Sequence, residues 1–284
     1  MIKDALIIVD PGHGGRELGA VANGYKEKDL NLKVGLELKK RLSRYIENIL
    51  MTRDKDEYFS VSARAKWVSD KANEYLRENP EGKVICLSIH FNAFNGLARG
   101  CETIHSIYAK PDLAQFEAKS IIELGIPFRR VFSKESRVNP GKDYYAMHRL
   151  TGKAKTVIVE SLFIDNKEDT KFLEKPYFIN QLAQKQTEGL LEYLKGVGAI
   201  KESDFQYDSQ PTNDSKSNKG DTQSEKESHW AQKDNNQLKA DGFILSDHTD
   251  VLDKSATEGM VLHLINKLRN EMIRITGADR KYKK

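Results

Sequence analysis

Cysteine is nearly absent from this chain. Cys86 and Cys101 are the only two in 284 residues. Two thiols cannot build a disulfide framework, which excludes the small stapled scaffolds of secreted domains. Cys86 sits within an apolar run, where a free thiol behaves as a small buried hydrophobe. Long hydrophobic runs are missing as well. Nothing approaches the roughly 18 consecutive apolar residues that a membrane-spanning helix needs. Strong net charge is also lacking, because 46 Lys and Arg face 42 Asp and Glu, leaving +4. That balance argues against nucleic acid as the main partner, although a mildly basic chain remains compatible with an anionic polymer. The N-terminus, MIKDALIIVDPGHGG, is not expected to act as a signal peptide. Its apolar stretch Ala5–Val9 is too short for a hydrophobic signal core, and no small-residue cleavage site follows. The expectation is a protein made in the cytoplasm, which reaches any target beyond the membrane by a route that another protein opens.

The composition, 38% hydrophobic and 31% charged, is that of a globular chain. Residues 1–196 alternate short apolar runs with amphipathic stretches. Ala5–Val9, Ile49–Thr52, Val84–Ile89 and Thr156–Val159 read as strands. Asp29–Ile46 places Leu30, Val34, Leu38, Leu42 and Ile46 four apart and reads as a helix, as do Ser62–Leu76 and Phe178–Leu194. Strands alternating with helices predict an α/β domain with a mixed, largely parallel sheet covered by helices. Composition then shifts. Residues 201–227 are almost all polar or charged, and a flexible linker is expected over 197–227. A small all-α module is expected over 228–284, with a helix from His229 to about Lys239 and a longer one over Ala256–Ile273.

Three apolar runs end in residues suited to chemistry. The first ends in Asp10-Pro11-Gly12-His13-Gly14-Gly15, the second in His90-Phe91-Asn92, the third in Glu160. Open α/β sheets form their sites beyond the carboxyl ends of the strands, so His13, His90 and Glu160 converge if these strands are parallel neighbours. Glu27, on the loop leaving His13, reaches the same crevice. Two His and two carboxylates fit a hydrolytic zinc site in which three side chains bind the metal and the remaining carboxylate serves as general base. The alternative reading of each residue alone is a satisfied polar group at a strand end or a first-turn helix charge. Glu160, just past a buried strand, resists that reading because a carboxylate there needs a partner or a function.

Six stretches in order, IIVDPGHGG at 7–15, KEKDLNL at 26–32, LMTRD at 50–54, SIHFNA at 88–93, GCETIHS at 100–106 and VIVESLFIDN at 157–166, carry a family resemblance. Over residues 4–195 the chain resembles the third class of N-acetylmuramoyl-L-alanine amidases, the zinc-dependent cell-wall amidases. The resemblance implies Zn2+ held by His13, Glu27 and His90, with Glu160 as the catalytic carboxylate. It also implies peptidoglycan as substrate, cut at the amide between the lactyl group of muramic acid and L-alanine. The chain departs from the family pattern at Glu17-Leu18 and at Leu162 and Asp165. Asn92 is expected either to contact substrate or to brace its loop. Arg53 and Arg64 are expected to pair with carboxylates, Glu102 to stand behind the metal or in a structural pair, and His105 and His148 to lie at the surface or behind the ligands. The C-terminal unit resembles a single S-layer-homology-type repeat, which implies binding of a secondary cell-wall polymer, with homo-oligomerisation through its helices as the alternative. The whole then reads as a phage-type lysin released through a holin-type pore. Its rivals are another zinc-dependent wall hydrolase, such as a peptidase or deacetylase, and a non-catalytic wall-binding protein.

Overall fold

A computed structural model describes residues 1–200. Most of the expected linker and the whole of the C-terminal module lie outside the described residues. The six-stranded sheet has the order β4-β1-β5-β8-β6-β7. Its strands are β1 (Ile2–Pro11), β4 (Ile46–Met51), β5 (Lys83–Asn92), β6 (Cys101–His105), β7 (Phe128–Phe132) and β8 (Lys155–Phe163). The pairs β1–β4, β1–β5, β5–β8 and β6–β7 are parallel, and β6 runs antiparallel to β8. The mixed, largely parallel sheet is therefore present as expected. A short hairpin, β2 (Val21–Ala22) with β3 (Tyr25–Lys26), stands apart from it.

Alternation along the strands supplies two faces. Ile7 and Val9 of β1, Leu87 and Ile89 of β5, and Val157 and Val159 of β8 join one core. That core is closed by α1 (Glu27–Leu42), α3 (Asp112–Ile122) and α6 (Phe178–Gly196). Leu6, Ile8, Cys86 and Ile158 face the other way, against Ala65, Val68 and Ala72 of α2 (Val61–Glu78) and Met147 of α4 (Ala146–Leu150). β1, β5 and β8 are thus buried on both faces, which explains why they read as continuous apolar runs. The short helix α5 (Lys167–Leu173) is capped by Asn166, whose Oδ1 accepts from the N–H groups of Glu168 and Asp169.

Two boundaries differ from the sequence reading. The first helix ends at Leu42, where Tyr45 N–H donates to the Leu42 carbonyl, and Ile46 opens β4 instead. The four-residue spacing continued by coincidence into a buried strand residue. At the other end Ile200 is buried in the core, so packing runs past residue 196.

Glu117 of α3 is fully buried, and neither carboxylate oxygen finds a hydrogen-bond partner among the described residues. Burial pushes its pKa well above the ordinary 4.5. Both folded and unfolded states are protonated below that ordinary value, so the stability is fully present there. As pH rises the unfolded chain ionises first, and stability falls by about 1.4 kcal/mol per pH unit until the folded-state pKa is reached. Glu117→Gln is therefore expected to raise the melting temperature at pH 8 and to change it little near pH 4.5. Thermal scans at both pH values check this, and an equal shift at both would show that ionisation is not the cause.

Candidate active site

The chain leaves β1 for α1 and β4 on one side, then returns to β5 on the other side of β1. That reversal opens a crevice beyond the carboxyl ends of β1 and β5. His13 follows β1, and His90 lies near the end of β5. Glu160 is paired in register with His90 on the adjacent strand β8. Glu27 opens α1, where a carboxylate also suits the positive end of the helix.

The turn that carries His13 is tightly determined. His13 adopts a left-handed backbone (φ 61°), and Gly14 follows at φ 136°. A non-glycine residue held there carries strain that the surroundings must enforce. Gly12 is required for a different reason, because a Cβ on it would lie 2.1 Å from the His90 ring. Arg53 is the enforcing group. It is 2% exposed, and it donates to the carbonyls of Pro11 and Gly12 on one side and of Lys28 on the other. One guanidinium thus ties the backbone beside His13 to the backbone beside Glu27. This corrects the expectation that Arg53 pairs with a carboxylate. Arg64 does so, meeting Asp10 at 2.9 Å.

His13 Nε2 lies 3.2 Å from Glu27 Oε1, and His90 Nδ1 lies 2.8 Å from the same oxygen. One donor atom from each of these residues falls within 4.8 Å of the others, the only such grouping among the described residues. Two imidazole nitrogens and a carboxylate form a donor set suited to a divalent metal of the zinc type. Glu27 Oε2 accepts from Ala20 N–H at 2.8 Å, which fixes the carboxylate. Burial works against ionisation of Glu27, yet the two histidines hold its pKa far below the usual range. Burial opposes protonation of His13, but Glu27 and Glu17 outweigh it and raise its pKa.

Glu17 was not among the sequence candidates. Its Oε1 lies 3.0 Å from His13 Nδ1. Such a contact fixes the tautomer and leaves Nε2 free for a metal, and removing groups of this kind typically costs about 10–100-fold in affinity. Glu17→Ala is expected to show that loss in a competition titration with a chromogenic zinc chelator; unchanged affinity would reduce Glu17 to a surface residue.

Glu160 carries the site's unmet need. Its Oε2 is buried with no hydrogen-bond partner among the described residues. Burial first, then the nearby Glu27 and Glu102 carboxylates, push its pKa well above the usual range. Asn92, by contrast, engages its side chain within the protein. Its Nδ2 donates to Glu102 Oε2 at 3.0 Å and its Oδ1 accepts from Ala93 N–H, the bracing alternative. His105 and His148 belong elsewhere. His105 pairs in register with Val157, three residues before Glu160 on β8, and burial lowers the pKa of His148 to about 4.

A helix-covered, largely parallel sheet with a His–Glu–His group and an orphaned acid at its carboxyl edge has the make-up of a metal-dependent hydrolase centre. The chain belongs to the N-acetylmuramoyl-L-alanine amidase family, whose model matches residues 7–192. It is 32% identical to the endolysin of Bacillus phage SPP1 over 192 residues, 66% of either chain. It is 31% identical over 187 residues to the sporulation-specific N-acetylmuramoyl-L-alanine amidase of Bacillus subtilis (strain 168), 65% of this chain and 66% of that one. The chain therefore spans 66% of the length of each of these two relatives. Among solved structures, an N-acetylmuramoyl-L-alanine amidase from Clostridium difficile 630 matches with a TM-score of 0.57 at 25% identity, over 68% of this chain and 98% of that one. No described helix is long and apolar enough to cross a membrane.

Proposed function

We propose that the chain is a zinc-dependent amidase that hydrolyses the amide joining the lactyl group of muramic acid to L-alanine in peptidoglycan. The observation that carries this reading is the buried, unpartnered Glu160 oxygen beside the His13, Glu27 and His90 donor set. These three residues are the ones that would hold the metal, and zinc, when bound, supplies a Lewis acid that polarises a carbonyl and acidifies water. Glu160 is the proton carrier. Its unpartnered oxygen beside the donor set suits it to take a proton from the attacking water and to deliver it to the departing nitrogen. Water oxygen bonds to the lactyl carbonyl carbon, the C–N bond breaks, and the products are a lactyl carboxylate and a free N-terminal alanine. Glu27 would serve the metal as a carboxylate, fixed in place by the Ala20 N–H. The likeness to the SPP1 endolysin supports a lytic role of phage type.

Purified Gram-positive peptidoglycan, digested and labelled at its new amino groups, tests the proposal. N-terminal alanine is expected with the native protein, lost after chelation and restored by zinc. Release of acetate instead would identify a deacetylase, and new amino groups on other residues a peptidase. Wall binding with no new amine in the presence of zinc would leave a non-catalytic wall-binding protein.

A further inference from the structure

The other flank of the crevice carries a second, unassigned feature. Glu102 on β6 lies directly across from Glu160 on β8. Directly opposed residues on neighbouring strands keep their Cβ atoms within about 5.5 Å, so whatever Glu102 gathers lies beside the reacting centre. It gathers two arginines. Arg129 Nε and Arg130 Nε donate to the same oxygen, Glu102 Oε1, at 2.6 and 2.8 Å, while Asn92 serves Oε2.

Adjacent strand residues normally point to opposite faces. Here the register explains the exception. Cys101 pairs with Phe128 and Glu102 with Arg130, so one step on β6 spans two on β7 and Arg129 is the extra residue. A β-bulge of this kind re-aims a side chain, and bulges concentrate beside active sites. The rings beneath the guanidiniums hold them further. Arg129 lies over Phe163 at 5.4 Å and Arg130 over Phe132 at 4.0 Å.

Both arginines meet Glu102 through Nε alone. Among the described residues no acceptor takes their terminal Nη groups, and the side chains remain 38% and 52% exposed. Two cations against one carboxylate leave one positive charge in excess, presented as two positioned forks. That geometry matches a carboxylate, which guanidinium binds in bidentate fashion.

We infer that Arg129 and Arg130 form a subsite for a carboxylate of the stem peptide, on the residue that follows the L-alanine released by cleavage. The inference rests on the proposed amidase reading and deepens it. The subsite selects acidic over amidated peptides and aligns the scissile amide with Glu160. Neutralising Glu102 alone would need one arginine; the bulge that brings in the second is what the subsite explains.

The test uses the full chain loaded with zinc and two soluble substrates, N-acetylmuramoyl-L-alanyl-D-glutamate and the same compound with its α-carboxyl as carboxamide. The native protein is expected to prefer the acid by about tenfold in kcat/KM, chiefly through KM. In Arg129→Gln/Arg130→Gln that ratio falls towards one, while the melting temperature and zinc affinity are monitored to separate loss of fold. Binding of the free dipeptide L-alanyl-D-glutamate and of its amide, followed by calorimetry, gives a readout that needs no turnover. Equal use and equal binding of acid and amide by the native protein overturns the subsite, as does a preference that survives the double substitution. A native protein that cleaves neither substrate but binds the acid peptide preferentially through the two arginines overturns the amidase reading and leaves the subsite standing.

Discussion

Glu160→Gln is expected to lower peptidoglycan hydrolysis by a factor of about 10²–10⁴, the range a positioned acid–base group contributes. Glutamine keeps the size and the hydrogen-bonding outline of the carboxylic acid but cannot carry a proton between water and the departing nitrogen. Zinc affinity should stay near that of the native protein, because His13, Glu27 and His90 are the donor set and Glu160 is not among them. Stability should move the other way from activity. Glu160 is a buried acid whose folded-state pKa is raised by burial and by Glu27 and Glu102. Its full stability exists only below its unfolded pKa near 4.5, and is lost as pH rises towards the folded value. The metal-free Glu160→Gln protein should therefore melt higher than the metal-free native protein at pH 8, with the difference shrinking towards pH 4.5. A site that gains stability as it loses activity is the signature of a group retained for chemistry. Initial rates of amine release from sacculi, set beside thermal scans of the metal-free proteins, decide the matter. Activity within tenfold of native would move the proton carrier elsewhere in the crevice.

The strands that lead to His13, His90 and Glu160 were legible in the sequence because each is buried on both faces. Such strands read as unbroken apolar runs, and the polar residue that ends each run stands out, as His90 and Glu160 do. The right half of the sheet lacks that contrast. The strand Cys101–His105 is five residues long and includes Glu102 and His105, and Phe128–Phe132 is an edge strand with two arginines in succession. Neither shows a periodic apolar pattern, so the sequence reading named no strand there, and with them it missed the bulge that sets Arg129 beside Arg130. Arg53 was misassigned for a related reason. Its acceptors are backbone carbonyls, which leave no mark in the sequence, whereas the carboxylates expected as partners do. Glu17 escaped because its contact with His13 runs across a tight loop whose left-handed turn follows from packing against residues 53–58.

Arg64→Met is expected to destabilise the domain by about 3–5 kcal/mol at neutral pH, the cost of leaving a buried ion without its partner. Arg64 and Asp10 are 4% and 0% exposed, and Asp10 also accepts from the hydroxyls of Ser88 and Thr52. One carboxylate thus joins β1, β5 and the residue that follows β4 to α2, just before the turn that carries His13. In the native protein burial raises the pKa of Asp10, but Arg64 and the two hydroxyls outweigh it and the net shift is downward. Asp10 therefore contributes stability that is present above its ordinary pKa of 3.8 and lost as pH falls through the lower folded value. Removing Arg64 reverses the sign. Burial then loses its largest opponent, the folded pKa of Asp10 is expected to rise, and stability is expected to fall as pH rises. The gap between native and variant should widen from pH 4 to pH 7, and Asp10→Asn in the Arg64→Met background should recover much of it, since a neutral side chain can keep the Ser88 and Thr52 contacts. Urea melts across that range measure the gap. A gap independent of pH would mean that Arg64 acts through the packing of its stem. A widening gap would establish that the floor of the active-site turn is held by charge.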